Sequence, residues 1–326
     1  MSDGEPSSSL AIETRGLTKT LGKQTAVNDL DLRVPRGSVF GFLGPNGSGK
    51  TTTIRMLLGL AAASRGDIEM LGQAIPKFAP TVLPRVGALV EGPAFYPFLS
   101  GRANLRRLDS ADRYASSSSR AHRVDAALDR VGLSHAATKP AHAYSLGMKQ
   151  RLGIAGALLI QRDILILDEP SNGLDPQGTR EVRHLIRSLA NDGTTIFVSS
   201  HLLAEVEQMC SHIAVMSAGR LVAQGTLDEL RSAGVARVRV ITPDPQDTHR
   251  VFHSLGLLAD ASEPAASTAG APDAVVSAEL PPAVSPESVS YALVTAGVRV
   301  RGFAVVGASL EERFVALTGE GFDVAE

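Results

Sequence analysis

Gly44-Pro45-Asn46-Gly47-Ser48-Gly49-Lys50-Thr51 is the stretch whose reading decides the fold. It fills every fixed place of G-x-x-x-x-G-K-[ST], a loop that wraps phosphate. Its glycines let the backbone approach an anion without a side chain in the way. Backbone N–H groups and the positive end of the helix that follows cradle β- and γ-phosphates, and Lys50 adds a point charge. The Thr51 hydroxyl is placed to ligate Mg²⁺, and Thr52 to support a phosphate. Val39 to Leu43, just before, is an apolar run read as a buried strand, and Thr51 to Leu60, just after, reads as a helix.

A second stretch supplies the chemistry that a bound triphosphate needs. Ile164-Leu165-Ile166-Leu167-Asp168-Glu169 is an apolar strand ending in two carboxylates. A buried parallel strand sets both at its C-terminal edge, where open α/β sheets bind ligands. Asp168 is expected to bind Mg²⁺ through water, and Glu169 to orient and polarise the attacking water. Alone this pattern is weak, because apolar strands often end in Asp; behind a complete phosphate loop it carries weight.

Further strand candidates are Ile68 to Leu71, Val86 to Val90, Thr195 to Ser199 and Ile213 to Met216, with a helix over Thr179 to Ala190. Alternation of this kind implies a mainly parallel sheet with helices on both faces. Between Phe98 and Ala143, short helical patterns (Asn104 to Asp109, Val124 to Val131) flank the polar run Ser116 to Ser119 and read as a helical insertion. Beyond Leu230, Val235 to Ile241 alternates like a half-buried strand, and Ala259 to Pro286 reads as a flexible, Ala/Pro/Ser-rich stretch. Ser285 to Ala296 reads as a helix, Val298 to Val306 as a strand, and Ser309 to Glu312 as a capping box. These residues predict a small C-terminal α/β appendage.

The composition limits the alternatives. The chain has 326 residues, enough for two domains at about 100–200 residues each. Hydrophobic residues make up 44% and charged residues 20%, with a net charge of −2, so no dominant nucleic-acid-binding surface is implied. Cys210 is the sole cysteine, which excludes an intrachain disulfide and fits a reducing compartment. The apolar run Ile154 to Ile160 ends at Gln161, Arg162 and Asp163, well short of the ~20 residues of a membrane span. Met1 to Ser9 is acidic and Ser-rich, expected to be a disordered tail rather than a signal peptide. Any membrane part must therefore come from another chain.

Tyr144-Ser145-Leu146-Gly147-Met148-Lys149-Gln150-Arg151, at the start of a helix upstream of the acidic strand, resembles the signature motif of ATP-binding cassette (ABC) ATPases. Ser145 and Gly147 are kept; Leu146 and Met148 replace a glycine and a glutamine. A hydroxyl and a bare backbone at a helix N-terminus suit a γ-phosphate held by another subunit. Ser171-Asn172-Gly173-Leu174-Asp175 is similar to the family's D-loop, in which Asp175 lies close to the nucleotide and the partner. His201, after Ser199-Ser200, resembles the switch histidine. The resemblance covers residues 11 to 230 and the ending Ser309 to Gly319. It implies a P-loop NTPase with a RecA-like, mainly parallel core sheet and an N-terminal antiparallel β-subdomain. It also implies a helical subdomain over about 93–153, within an ATPase domain of residues 11–230. Residues 1–10 would be the tail, and 231–326 an accessory domain with a flexible segment at 259–286.

The same resemblance implies ATP and Mg²⁺ as ligands, Glu169 and His201 as catalytic residues, and a head-to-tail dimer with ATP between Lys50 of one copy and Ser145 of the other. It further implies a separate transmembrane permease and a cytoplasmic place against the inner face of the membrane. Two positions depart from the family. Val90-Glu91-Gly92 stands where a glutamine usually senses nucleotide, so Glu91 is the candidate there, near Mg²⁺. Leu21 stands where an aromatic ring usually stacks on adenine. Glu91-Gly92-Pro93 with Phe95-Tyr96-Pro97 most resembles the bacitracin-resistance and lantibiotic-immunity branch of exporter ATPases. Phe95, Tyr96 and Phe98 read equally as a permease-docking groove or as core aromatics. Rival classes fit less well. A soluble ABC ATPase acting on DNA or ribosomes typically has two cassettes or a long coiled coil. A non-hydrolysing regulator would lack Glu169 or His201, and a small-molecule kinase needs neither signature motif nor D-loop.

Overall fold

The computed structural model describes residues 9–92, 94–112, 115–232, 236–264, 273–307 and Phe314. The tail at 1–8, Pro93 and the capping box at 309–312 lie outside the described residues. Leu10, expected in the tail, opens the first strand instead. The chain forms two compact units that divide between Leu227 and Asp228.

The first unit begins with an antiparallel sheet. Strands β1 (Leu10–Leu21), β2 (Gln24–Leu30), β3 (Arg33–Pro35), β5 (Arg65–Met70) and β6 (Gln73–Ile75) lie in the order β2-β1-β5-β6, with β3 also on β1. The central sheet uses β4 (Val39–Leu43), β7 (Val86–Leu89), β8 (Ile164–Asp168), β9 (Thr195–Ser200), β10 (His212–Ser217) and β11 (Arg220–Thr226), in the order β11-β10-β4-β9-β8-β7. All its pairings are parallel except the β10–β11 hairpin. This is the mainly parallel core that the apolar runs predict. β4, β8 and β9 are buried along their whole length, as strands covered on both faces must be.

Around this sheet run α1 (Lys50–Leu57), α2 (Ala79–Val82), α3 (Gly101–Ala111), α4 (Arg120–Arg130), α5 (Leu146–Ala157), α6 (Pro176–Asn191) and α7 (Leu203–Met209). α1 packs on β8, α5 on β7, α6 on β9 and α7 on β4. The α7 approach is close: a Cβ on Gly41 would sit 2.6 Å from Val206 Cγ1 and 3.0 Å from Cys210 Sγ. Cys210 is thereby buried, and burial raises its thiol pKa far above the usual range. Phe40, Phe42 and Phe197 fill the middle of the core, with Phe42 and Phe197 ring centroids 5.2 Å apart. α3 and α4 form the helical insertion, joined by a buried Asp109 that accepts from Arg120 at 2.9 Å and Arg123 at 2.8 Å.

The second unit opens within α8 (Leu227–Ser232). It contains β12 (Arg237–Thr242), α9 (Pro245–Ser254), β13 (Glu263–Pro264), β14 (Ala274–Glu279), α10 (Pro286–Thr295) and β15 (Gly302–Val306). The antiparallel order β13-β14-β12-β15 with two helices is a β-α-β-β-α-β arrangement. Val238, Val240, Val276, Phe252, Val289 and Leu293 form its core. The stretch 259–286, expected to be flexible, includes β14, whose Val275, Val276 and Ala278 are buried. Pairing to β12 over six residues fixes that strand, a tertiary effect that Ala/Pro/Ser composition does not report. Ser285 caps α10 by accepting from the Ser288 N–H.

Candidate functional site

The phosphate loop joins β4 to α1. Gly49, its last residue before the helix, has φ 104°, and a Cβ there would lie 2.5 Å from Ala26 O. Only glycine fits both the backbone angle and the space. No side chain caps α1, so its first N–H groups remain available to an anion. Lys50 is buried; its Nζ donates to Gly44 O at 2.6 Å and Pro45 O at 3.2 Å, and lies 3.4 Å from Glu169 Oε1. Burial lowers the Lys50 pKa, partly opposed by Glu169 and Asp168.

The acidic strand meets this loop as predicted. Thr51 Oγ1 donates to Asp168 Oδ2 at 3.0 Å. Glu169 holds an uncommon left-handed φ of 48° and contacts His201 Nδ1 through Oε2 at 2.7 Å. Ser199, at the end of the neighbouring strand β9, donates to Asp168 Oδ1 at 2.6 Å and accepts from the Glu169 N–H at 2.9 Å. Sequence reading overlooked Ser199; a polar residue at the C-terminal end of an apolar strand was the available signal.

A cavity of about 530 Å³ covers the loop. Asn46, Gly47, Ser48, Gly49, Lys50, Thr51, Thr52 and Glu169 line it, with Leu21 at one side. Gln24, Thr25 and Ala26 from the β1–β2 hairpin, and Ala218 and Gly219 from the β10–β11 turn, complete the wall. None of those five was foreseen, because hairpin residues carry no motif and are gathered only by folding.

Other expected residues lie outside this cavity lining. Ser145 is the N-cap of α5, its Oγ accepting from Met148 N–H at 3.2 Å, and Gly147 follows in the first turn. Asp175 caps α6, accepting from Gly178 N–H at 2.8 Å. Glu91 has φ 60° and is ion-paired to Arg55 of α1, with its side chain more than half exposed. Tyr96 is 57% and Phe98 83% exposed, so neither is a core aromatic. Arg107 lies over the Tyr96 ring at 4.4 Å.

The loop fits a nucleotide triphosphate by its own chemistry. Its bare helix end and Lys50 favour phosphate, and the buried Ser48 hydroxyl makes no hydrogen bond. One hydroxyl, Thr51, and one carboxylate, Asp168, converge beside it, oxygen donors of the kind that would suit Mg²⁺. Among the described residues no cluster of three or more His, Cys, Asp or Glu could hold a metal alone.

Comparison with known proteins agrees. The ABC transporter family model matches residues 27–172. The bacitracin transport ATP-binding protein BcrA of Bacillus licheniformis is 47% identical over 68% of this chain and 72% of its own length. The daunorubicin resistance ATP-binding protein DrrA3 of Streptomyces coeruleorubidus is 36% identical over 97% of this chain and 98% of its own. This chain belongs to the ABC transporter ATP-binding protein family. Its fold is similar to the solved cbiO1 of Clostridium perfringens, part of the cbiONQ ABC transporter complex. The TM-score is 0.63, with 27% identity over 76% of this chain and 96% of that one. As an ABC ATPase the protein binds and hydrolyses ATP in service of transport, and the expected P-loop NTPase fold and the exporter-ATPase resemblance are both borne out. ATP-binding subunits of exporters work with a separate permease. Among the described residues no helix is long and apolar enough to cross a membrane.

Proposed function

We propose that the chain powers export of a small molecule, drug or peptide antibiotic through a separately encoded permease at the inner face of the cell membrane. Two copies close head to tail over two ATP molecules. In each copy, Lys50 and the N–H groups at the start of α1 hold the β- and γ-phosphates. Thr51 and Asp168 would hold Mg²⁺, which when bound neutralises charge between those phosphates. Ser199 keeps the Asp168 carboxylate in place. Glu169 orients the attacking water and takes its proton, and His201 fixes the Glu169 carboxyl by their 2.7 Å contact. Ser145 and Gly147 of the second copy complete the γ-phosphate site. Catalysis is thus mostly positioning and charge stabilisation.

The observation that carries this reading is the convergence of Lys50, Glu169 and His201 at the phosphate loop. Exposed Tyr96 and Phe98 on the helical insertion support docking of a permease segment there. The relatives' names, bacitracin transport and daunorubicin resistance, favour export. Glu91, held by Arg55, would approach the metal only after that ion pair opens.

The test is Glu169→Gln. Turnover should be lost, ATP should still bind, and an ATP-dependent dimer should accumulate in size-exclusion chromatography. Normal turnover would remove Glu169 from its role; a nucleotide-loaded monomer would remove the paired site.

A further inference from the structure

The end of β8 with the loop after it, and the end of β9 with the segment after it, are joined by four side-chain hydrogen bonds. Ser199 makes two, to Asp168 and to the Glu169 N–H. His201 and Glu169 make the third. In the fourth, the Ser171 hydroxyl donates to Glu205 Oε2. Asp168, Glu169 and His201 have places in the proposed mechanism. Glu205 has none.

Glu205 is nevertheless an unusual residue. It is 9% exposed, in the first turn of α7. Three other acidic or basic side chains (Asp, Glu, Lys or Arg) are buried in the described part of the first unit. Lys50 and Asp168 belong to the phosphate site, and Asp109 is held by two arginines. Among the described residues Glu205 forms no ion pair, and its one side-chain partner is Ser171. A buried carboxyl with a single neutral partner is expensive to keep. Packing alone would be served more cheaply by an apolar residue.

The position of Ser171 gives that cost a use. Ser171 is two residues beyond Glu169 and opens the segment Ser171 to Asp175. At the far end Asp175 caps α6. α6 is tied to α7 through Arg183 and Arg187, which bond the Gln208 side chain and carbonyl. α6 and α7 therefore form a brace, with the segment strung between them and fixed at both ends. The Asn172 N–H donates to Glu169 O at 3.2 Å, and the Ser171–Glu205 bond is the side-chain fixing of the segment next to it. Glu169 itself sits at φ 48°, a strained angle that persists only when its surroundings determine it.

We propose that Glu205 is a positioning residue for ATP hydrolysis: through Ser171 it sets the segment Ser171 to Asp175 and, with it, the Glu169 carboxyl. The inference rests on the paired-site reading above and goes beyond it. Glu205 is not part of the cavity lining over the phosphate loop. Its loss should therefore appear in kcat and in closure of the dimer, not in capture of ATP by the phosphate loop. The competing explanation is that Glu205 only favours the N-terminal end of α7 as a negative charge. Ser171→Ala separates the two, since it removes the bond and leaves the charge.

The experiment measures kcat and KM for ATP on the full chain carrying Ser171→Ala, Glu205→Ala, Glu205→Gln and the double alanine change. ATP-dependent dimerisation is measured with Ser171→Ala added to Glu169→Gln. Ser171→Ala and Glu205→Ala should each lower kcat about three- to tenfold, the scale of one hydrogen bond, with KM changed less than about twofold. The double change should lower it no further than either single change, and Glu205→Gln, which keeps an acceptor oxygen, should recover most of the loss. Ser171→Ala should raise the ATP concentration that dimerises the Glu169→Gln form. Unchanged kcat in Ser171→Ala, additive losses in the double change, or no recovery by Glu205→Gln would each overturn the proposal. If Glu169→Gln alone fails to dimerise, the paired-site reading falls, while the kcat series still decides the role of Glu205.

Discussion

Two helix tips in the first unit, those of α1 and α5, share a glycine-bearing start and differ in how that start is satisfied. α1 has no side-chain cap and begins beside a buried lysine. Its N–H groups and Lys50 together favour an anion. α5 is capped by its own Ser145, and its Leu146 is 48% exposed. It needs no ligand to be stable, and presents a hydroxyl and a bare backbone to the outside. In the proposed paired site one tip is the receptor and the other the contributor. That asymmetry is what a site divided between two copies demands.

The sharpest way to break the comparison is Lys50→Ala. It should cut kcat/KM at least about a hundredfold, as loss of a charge-stabilising donor does. The rise in melting temperature caused by MgATP, a direct measure of binding, should disappear. A retained shift would show that α1 is not the receptor. Ser145→Ala should act next most strongly. It should lower kcat about tenfold or more while leaving the MgATP shift in place, with about 1 kcal/mol lost from the α5 cap. Ser145→Asp refines this result. Aspartate restores the cap but sets a negative charge against the partner's γ-phosphate, so stability should return and turnover should not.

Asp109 supplies the contrast within the same unit, a buried charge with no phosphate to serve. Its pKa is lowered: burial would raise it, but Arg123 and Arg120 outweigh that. Asp109→Ala should destabilise the α3–α4 pair by about 2–3 kcal/mol in denaturant titration, since it strips the arginines of a hydrogen-bonded carboxylate. ATP affinity should be unchanged. The smallest effect belongs to Asp244, whose pKa is held at about 2 by hydrogen bonds from Arg299. A depressed carboxylate pKa gives stability that is complete above the ordinary value of 3.8 and is lost as pH falls towards about 2. Asp244→Asn should therefore lower the melting temperature of the second unit slightly at neutral pH, and the gap to the unaltered chain should close across that acid window.

The two tips also show what sequence can convey. The α1 tip was legible because its chemistry is written in adjacent residues, Gly44 to Thr51, and the same holds for Asp168 and Glu169 at the end of β8. The walls of the cavity were not legible. Gln24 to Ala26, Ala218 and Gly219 come from two hairpins that only the fold brings together. Ser199 was passed over because hydroxyls at strand ends are ordinary; its value lies in bonding two neighbours on β8. In the second unit, β14 was hidden by Ala, Ser and Pro on either side, and α9 by a polar surface that shows only Thr248, Val251 and Phe252 to the core. Glu91 stands out in the sequence as a departure from the family pattern, yet its pairing with Arg55, remote in sequence, has no local signal.

The close seat of α7 on β4 leaves the molecule with a practical gift. The lone thiol it encloses, Cys210, is shut away, and burial raises its pKa and so disfavours the reactive thiolate. Maleimide added to the folded chain should leave it untouched, so a cysteine engineered at any surface position would take the label alone. Spectroscopic probes can thus be placed on either helix tip without first stripping the native sequence.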